Sequence, residues 1–183
     1  MKRALSIELL IAVLALVCDL PARGVAQAPT NQVSAPHSRD AHDWKRYRYN
    51  VDGFTVEFPA EPHTAQNDSK TGTRYFASLD NGNLAYFVEA AVLPADLNKS
   101  SMQLFDDYIS GAAKGTKSQI KYSKDISLHG NPGREATLEN ETLVLQFRLY
   151  VVQHKLYQVL VVAMKDQADS AETEHFQSSF DLL

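Results

Sequence analysis

The sequence predicts an α+β domain in which an antiparallel β-sheet is covered by helices, an α/β/α sandwich. Three observations predict this class. Apolar and polar residues alternate along most of residues 44–183, which is typical of β-strands. Turn-forming pairs such as Asn81-Gly82 separate the alternating runs. Two other stretches repeat apolar residues every three or four positions, which is typical of helices that pack on a core.

The strands are predicted as a series of antiparallel hairpins. Phe54, Val56 and Phe58 alternate with polar residues, and a strand over 46–50 pairs with them across Asp52-Gly53. Three further hairpins follow from turn residues between strand-like runs. They join 73–79 to 84–93 through 80–83, 120–128 to 134–139 through 130–133, and 142–152 to 156–164 through 153–155.

The last hairpin is apolar on both of its faces. Leu145, Phe147 and Leu149 share one face of their strand, and Val144, Tyr150 and Val152 lie on the other. The strands of a sheet with one solvent-exposed face alternate more strictly between apolar and polar residues. The centre of the predicted sheet is therefore covered on both sides.

Two helices are available as covers. The first is predicted over 101–114, with a capping box of Ser100 and Gln103 at its start and Gly115 at its end. The second is predicted from 170 to the C-terminus, with Asp169 and Glu172 at its cap. Its apolar stripe is Phe176, Phe180 and Leu183.

Residues 1–26 have the three parts of a secretory signal peptide. Lys2 and Arg3 form a positive start, an apolar run covers 5–17, and Gly24-Val25-Ala26 offers small residues for cleavage after Ala26. The apolar run is shorter than the roughly 20 residues of a membrane span. The protein is therefore expected to be periplasmic or secreted, with a retained N-terminal anchor as the alternative.

Cys18 raises a further alternative, a lipid-modified N-terminus. Val17 disfavours it, because lipoprotein signals place a smaller residue before the cysteine. Residues 27–43 are rich in polar residues and proline and are predicted as a flexible linker. The remaining residues, 44–183, are predicted as a single domain.

Composition excludes several functions. The 183 residues carry a formal net charge of −4, which argues against a nucleic-acid partner. Cys18 is the single cysteine, so cleavage after Ala26 leaves no thiol for catalysis or metal binding. No transmembrane span is expected in the mature chain.

The motifs of common active sites are absent from the sequence. It contains no Gly-x-Ser-x-Gly, no phosphate-binding glycine loop and no His-Glu-x-x-His. Glu172-x-x-His175 occurs once, whereas di-iron bundles need two such motifs. Arg134 and Glu135 follow a predicted turn and suit either a local ion pair or a ligand groove. We therefore predict no catalytic, cofactor-binding or metal-binding residues, and no cofactor.

Several short motifs resemble those of small exported bacterial domains of the PsbP-like class. They are GFTVEFP at 53–59, GNPGRE at 130–135, RLY at 148–150, KLY at 155–157 and EHFQSSF at 174–180. The resemblance implies an antiparallel sheet between helices. The class includes extrinsic photosystem proteins and a nuclear-transport cofactor, so it implies no single function. The shared motifs are turns and core positions, so no catalytic residues are implied.

Two function hypotheses follow. The first is an exported, non-catalytic binding or assembly module for an unknown protein or small ligand. The second is an enzyme with a dispersed active site that no local motif reveals. A deep polar pocket with convergent titratable groups would favour the enzyme.

The signal-peptide interpretation predicts a defined mature N-terminus. Mass analysis of the protein from the cell envelope is expected to find Gln27 as the first residue, because the small residues before it suit signal peptidase. An intact Met1 or a lipid on Cys18 would contradict this prediction.

Overall fold

The computed structural model describes residues 42–66, 71–79, 82–168 and 170–183. The predicted signal peptide, and the predicted linker up to residue 41, lie outside the described residues. The described part of the chain contains ten strands and two helices. In chain order they are β1 Lys45–Tyr49, β2 Phe54–Phe58, β3 His63–Gln66, β4 Gly72–Leu79, β5 Leu84–Val92, α1 Ser101–Thr116, β6 Gln119–Leu128, β7 Asn131–Glu139, β8 Leu143–Val152, β9 Lys155–Met164, α2 Ser170–Ser179 and β10 Asp181–Leu182.

The strands form two antiparallel sheets. The larger has seven strands in the order β3-β4-β5-β9-β8-β7-β6, and the smaller has three in the order β1-β2-β10. Strand β9 pairs with β8 on one side and with β5 on the other, so it lies at the centre of the larger sheet. The predicted antiparallel sheet and its helices are confirmed. Strands β3 and β10 were not predicted.

The hairpins form where the sequence predicted them, with one change of turn. Leu79 lies opposite Leu84, although Asp80 and Asn81 of the predicted turn lie outside the described residues. The predicted turn over 130–133 is wrong in its position. His129 and Gly130 form the turn, with φ angles of 50° and 80°, and β7 begins directly after it.

Gly133 therefore has a role in the sheet and none in the turn. It lies in β7 opposite Tyr150 of β8. A Cβ atom on Gly133 would lie 2.6 Å from Cδ1 of the Tyr150 ring. Glycine is required here because the aromatic ring occupies the space above the neighbouring strand.

Each face of the seven-stranded sheet has its own apolar core. Helix α1 covers one face, which we call the α1 face, and buries residues such as Phe105 and Ile109 against Leu145 and Phe147. The opposite face is covered by α2 together with the three-stranded sheet. Buried residues of that second core include Phe54, Phe58, Tyr86, Val159, Phe176 and Phe180. The second cover is thus built from a helix and three strands, where the sequence predicted a helix alone.

Helix α1 begins as predicted and ends two residues later. Ser100 Oγ accepts a hydrogen bond from the Gln103 amide at 3.3 Å, and the Ser100 amide donates to Gln103 Oε1 at 2.9 Å. Gly115 lies inside the helix. The helix stops at Lys117, whose φ of 53° is left-handed and whose amide bonds back to the carbonyls of the last turn.

Helix α2 is shorter than predicted. It ends at Ser179, and Phe180 follows it as a buried residue whose ring stacks on Tyr150 at 5.8 Å. The chain then pairs with β2, where Leu182 lies opposite Phe54. This pairing turns Leu183 outward, and 50% of it is exposed. The predicted stripe is therefore correct for Phe176 and wrong for Leu183.

Phe180→Ala is expected to lower the free energy of unfolding by about 3–5 kcal/mol, because it leaves a cavity among Phe54, Tyr150 and Tyr157. Leu183→Ala is the matched control and should change the unfolding midpoint little, since its side chain is half exposed. Chemical denaturation of the two variants measures both values. Equal midpoints for Phe180→Ala and the wild type would contradict the packing of the second core.

Candidate interaction site

A buried row of polar residues lies beneath α1. Arg74 lies opposite Glu89, and Glu89 lies opposite Gln158, so the three form a line across β4, β5 and β9. Arg74 Nη2 and Nε donate to Glu89 Oε2 at 2.8 and 3.0 Å. Tyr108 of α1 donates its hydroxyl to Gln158, and burial raises the pKa of Tyr108. These groups are engaged with one another and hold α1 on the sheet.

Two arginines on neighbouring strands connect the sheet to its covers. Arg134 of β7 reaches Asp106 of α1 at 2.8 Å and Asp125 of β6 at 2.7 Å. Ion pairing is thus the correct alternative for Arg134. The neighbouring Asp106 and Asp107 of α1 each have a cationic partner, Arg134 for Asp106 and Lys99 for Asp107, while their side chains stay 62% and 54% exposed.

Arg148 of β8 connects the opposite face of the sheet to its cover. It contacts Glu174 of α2 at 2.7 Å and Glu135 of β7 at 2.8 Å. Burial of Arg148 by itself would lower its pKa, but the hydrogen bonds that Arg148 donates to Glu174 and Glu135 outweigh that effect, so the pKa is raised. Glu135 thus belongs to a structural network, as the ion-pair alternative proposed.

The Glu172-x-x-His175 motif does not form a common site. Glu172 accepts a hydrogen bond from the Tyr86 hydroxyl and lies 3.4 Å from His42, whereas His175 contacts Glu57 at 2.8 Å. Across the described residues, no group of three or more His, Cys, Asp or Glu side chains is placed to hold a metal ion.

A polar cleft of about 630 Å³ opens at one end of the larger sheet. It lies between the end of α1, the start of β6, the β7–β8 turn and the residue after β9. We call it the strand-end cleft, and the residues that shape it include Lys117, Lys121, Glu139, Asn140, Glu141 and Lys165.

Asn140 fixes the walls of the strand-end cleft. Its Oδ1 accepts the backbone amides of Thr142 and Leu143 at 2.9 and 2.8 Å, which holds the β7–β8 turn. Its Nδ2 donates to the Thr116 carbonyl at 2.9 Å, which connects the turn to the end of α1. The cleft is therefore bounded by backbone that side-chain hydrogen bonds hold in place.

Only some of the charged side chains in the cleft form ion pairs. Glu139 forms an ion pair with Lys165, which lowers the pKa of the Glu139 carboxyl. Lys121 donates to the Gln119 amide oxygen at 3.0 Å, and its charge also helps to lower the pKa of the Glu139 carboxyl. Lys117 has no polar side-chain contact within the described part of the chain. Among the described residues, Lys117 and Lys121 thus line the cleft without an ion pair, and so does the exposed Glu141.

Strand β6 borders this cleft and forms an open edge of the sheet. In the described residues it pairs with β7 on one side and with no strand on the other. Nearly all of its residues are exposed, and Ile120 and Tyr122 keep 48% and 43% of their surface accessible. We call this strand the β6 edge. The cleft and the edge share Gln119 and Lys121, so they form one continuous surface.

Sequence reasoning missed this surface. Its residues come from 116–121, 139–142 and 165, and no local motif connects them. The available signal was the composition of β6, which carries lysines and exposed apolar residues in place of the apolar face of the other long strands.

The fold is similar to that of cyanobacterial PsbP (CyanoP) from Synechocystis sp. PCC 6803, whose solution structure matches with a TM-score of 0.59. The match has 11% sequence identity and covers 82% of this chain and 99% of that chain. The chain therefore has a PsbP-like fold, as its motifs implied. At this identity the likeness shows the fold alone.

A weaker match is PA94, a protein of unknown function from Pseudomonas aeruginosa. Its crystal structure gives a TM-score of 0.37 and 10% identity, over 67% of this chain and 84% of that chain. No protein-family model matches the sequence. No curated protein matches it either. None of the helices in the described residues has the length and apolar character needed to cross a membrane.

Glu89→Gln is expected to destabilise the domain by about 3–5 kcal/mol, because it leaves the Arg74 charge buried without its partner. Glu141→Gln, at an exposed position in the cleft, is the matched control and should be near neutral. The double variant Arg74→Met with Glu89→Leu should recover much of the loss, since it removes both charges together. A near-neutral Glu89→Gln in urea denaturation would show that this pair is not part of the core.

Proposed function

We propose that this protein is an exported, non-catalytic binding or assembly module that holds a protein partner at the strand-end cleft and the β6 edge. The signal-peptide pattern of residues 1–26 supports export. We also infer that the layers are best classed as an α/β/α sandwich, in which the three-stranded sheet shares one outer layer with α2.

One observation carries the binding proposal. In the described part of the chain, Lys117 and Lys121 line an open cleft without an ion pair, beside the exposed Ile120 and Tyr122. Charged groups elsewhere in the described core, such as Arg74 and Arg148, are engaged in ion pairs that join the layers. A surface that combines available cations with exposed apolar side chains is typical of a site for another molecule.

The enzyme hypothesis requires titratable groups that converge on a pocket. In the strand-end cleft the carboxyl of Glu139 is held by Lys165. This arrangement favours recognition of charge over proton transfer, and we therefore place the enzyme second.

Site-specific cross-linking tests the binding proposal. A photoreactive residue at Gln119 on the β6 edge, in the cell that makes the protein, is expected to give one defined protein adduct. The same residue at Gln66 is the matched control, because Gln66 is also exposed but lies on the opposite edge strand, β3. The adduct should disappear when Lys117→Glu and Lys121→Glu are introduced together.

Two results would refute the proposal. One is an adduct pattern that is the same from positions 119 and 66. The other is an adduct from position 119 that survives both charge reversals.

A further inference from the structure

We infer that the partner is an extended, acidic polypeptide segment that adds as a further strand to the β6 edge and places acidic side chains at Lys117 and Lys121. This inference rests on the proposed function and specifies the mode of binding and the chemistry of the partner. Three features of the edge support it: its length, its charges and its exposed apolar side chains.

The two edges of the seven-stranded sheet differ in length. Strand β3 has four residues, whereas β6 has ten. A long edge strand presents a row of backbone N–H and C=O groups on its outer side, which another extended chain can pair with. From Tyr122 to Leu128 the pairing of β6 with β7 runs without a register shift. This regular stretch is longer than the five or six residues of a typical strand.

The charges along the β6 edge select an acidic partner. Three carboxylates near it are already paired: Asp125 with Arg134, Glu135 with Arg148, and Glu139 with Lys165. Glu141 also lines the cleft, but the two lysines outnumber it. Lys117 and Lys121 have no such partner among the described residues. An incoming strand with acidic side chains would therefore form ion pairs, whereas a basic strand would meet like charges.

A second copy of the chain fits this edge less well. Two β6 strands side by side would bring two copies of Lys121 onto one junction, which is repulsive, whereas Lys124 is held by Glu135 at 3.2 Å. Lysines at an edge are a common protection against such self-pairing. The same lysines do not repel a strand that carries acidic side chains.

The exposed apolar residues of β6 lie on opposite faces of the sheet. Ile120 lies opposite Leu138, which belongs to the α1 face, whereas Tyr122 lies opposite Thr137, on the other face. The register shift between them produces this change of face. An added strand also points alternate side chains to both faces, so it contacts Ile120 with one set and Tyr122 with the next.

The test uses a synthetic probe and the full chain. The probe is a fluorescent peptide of about eight residues that alternates Glu and Val, the length of one strand. We expect it to bind, as measured by fluorescence anisotropy, and to weaken as salt is added. A peptide with N-methylated alternate amides should bind about tenfold or more weakly, because it cannot make the backbone hydrogen bonds. A peptide with Lys in place of Glu should also bind about tenfold or more weakly, because its charges repel those of Lys117 and Lys121.

Variants of the protein complete the test. Lys117→Gln with Lys121→Gln should weaken binding of the acidic peptide about tenfold, and Lys117→Glu with Lys121→Glu should weaken it further. Unfolding curves of these variants confirm that each one is folded. Gln66→Glu on the opposite edge is the control and should bind as the wild type does.

Three results would overturn the inference. They are equal binding of the N-methylated peptide, equal binding after charge reversal, and no binding of the acidic peptide at millimolar concentration. A stable dimer of the chain that Ser123→Pro dissociates would assign the β6 edge to a second copy instead. If the peptide fails while the cross-link from position 119 persists, the binding function stands and the partner binds in another mode.

Discussion

The apolar character of both faces at the centre of the sheet determines the rest of the structure. Strand β9 is buried over almost its whole length and pairs with β5 and β8, so neither of its faces meets water. Each face then requires its own cover. Helix α1 is long enough for one face. Helix α2 has ten residues, and the other face is completed by the three-stranded sheet, which contributes Phe54 and Phe58 to the core.

Charged residues fix how the covers are oriented on these apolar faces. Arg134 and Arg148 lie on neighbouring strands with their side chains on opposite faces, and each reaches a carboxylate of the helix above it. The arginine side chains are only 15% and 14% exposed, whereas Asp106 and Glu174 are 62% and 63% exposed, so each pair joins a shielded arginine to a carboxylate at the surface. Apolar packing alone is non-directional, whereas these contacts select one position for each helix. The interior charges of the domain thus serve its architecture.

Local signals were enough to predict most of the fold. Alternation located the long strands, and the capping box located the start of α1, because both depend on neighbouring residues. Strand β10 could not be predicted, since its two residues are fixed by pairing with β2, more than a hundred positions earlier. The turn-forming residues at 130–133 predict a turn that includes Gly133, whereas the reason for a glycine at this position is the nearby ring of Tyr150. The candidate site could not be predicted for the same reason, because its three segments meet only after the sheet has formed.

The position of the proposed site follows from the order of the strands. A sheet with two covered faces still has two edges, and a short strand, an unfavourable charge pattern or a β-bulge can protect them. Strand β3 is protected by its length of four residues. Strand β6 is long, and its protection consists of Lys121, Lys124 and the register shift near Lys121. Protection by charge is selective, because it opposes an identical or basic edge and favours an acidic one. The residues that keep this edge from pairing with itself therefore also specify which strand it can accept.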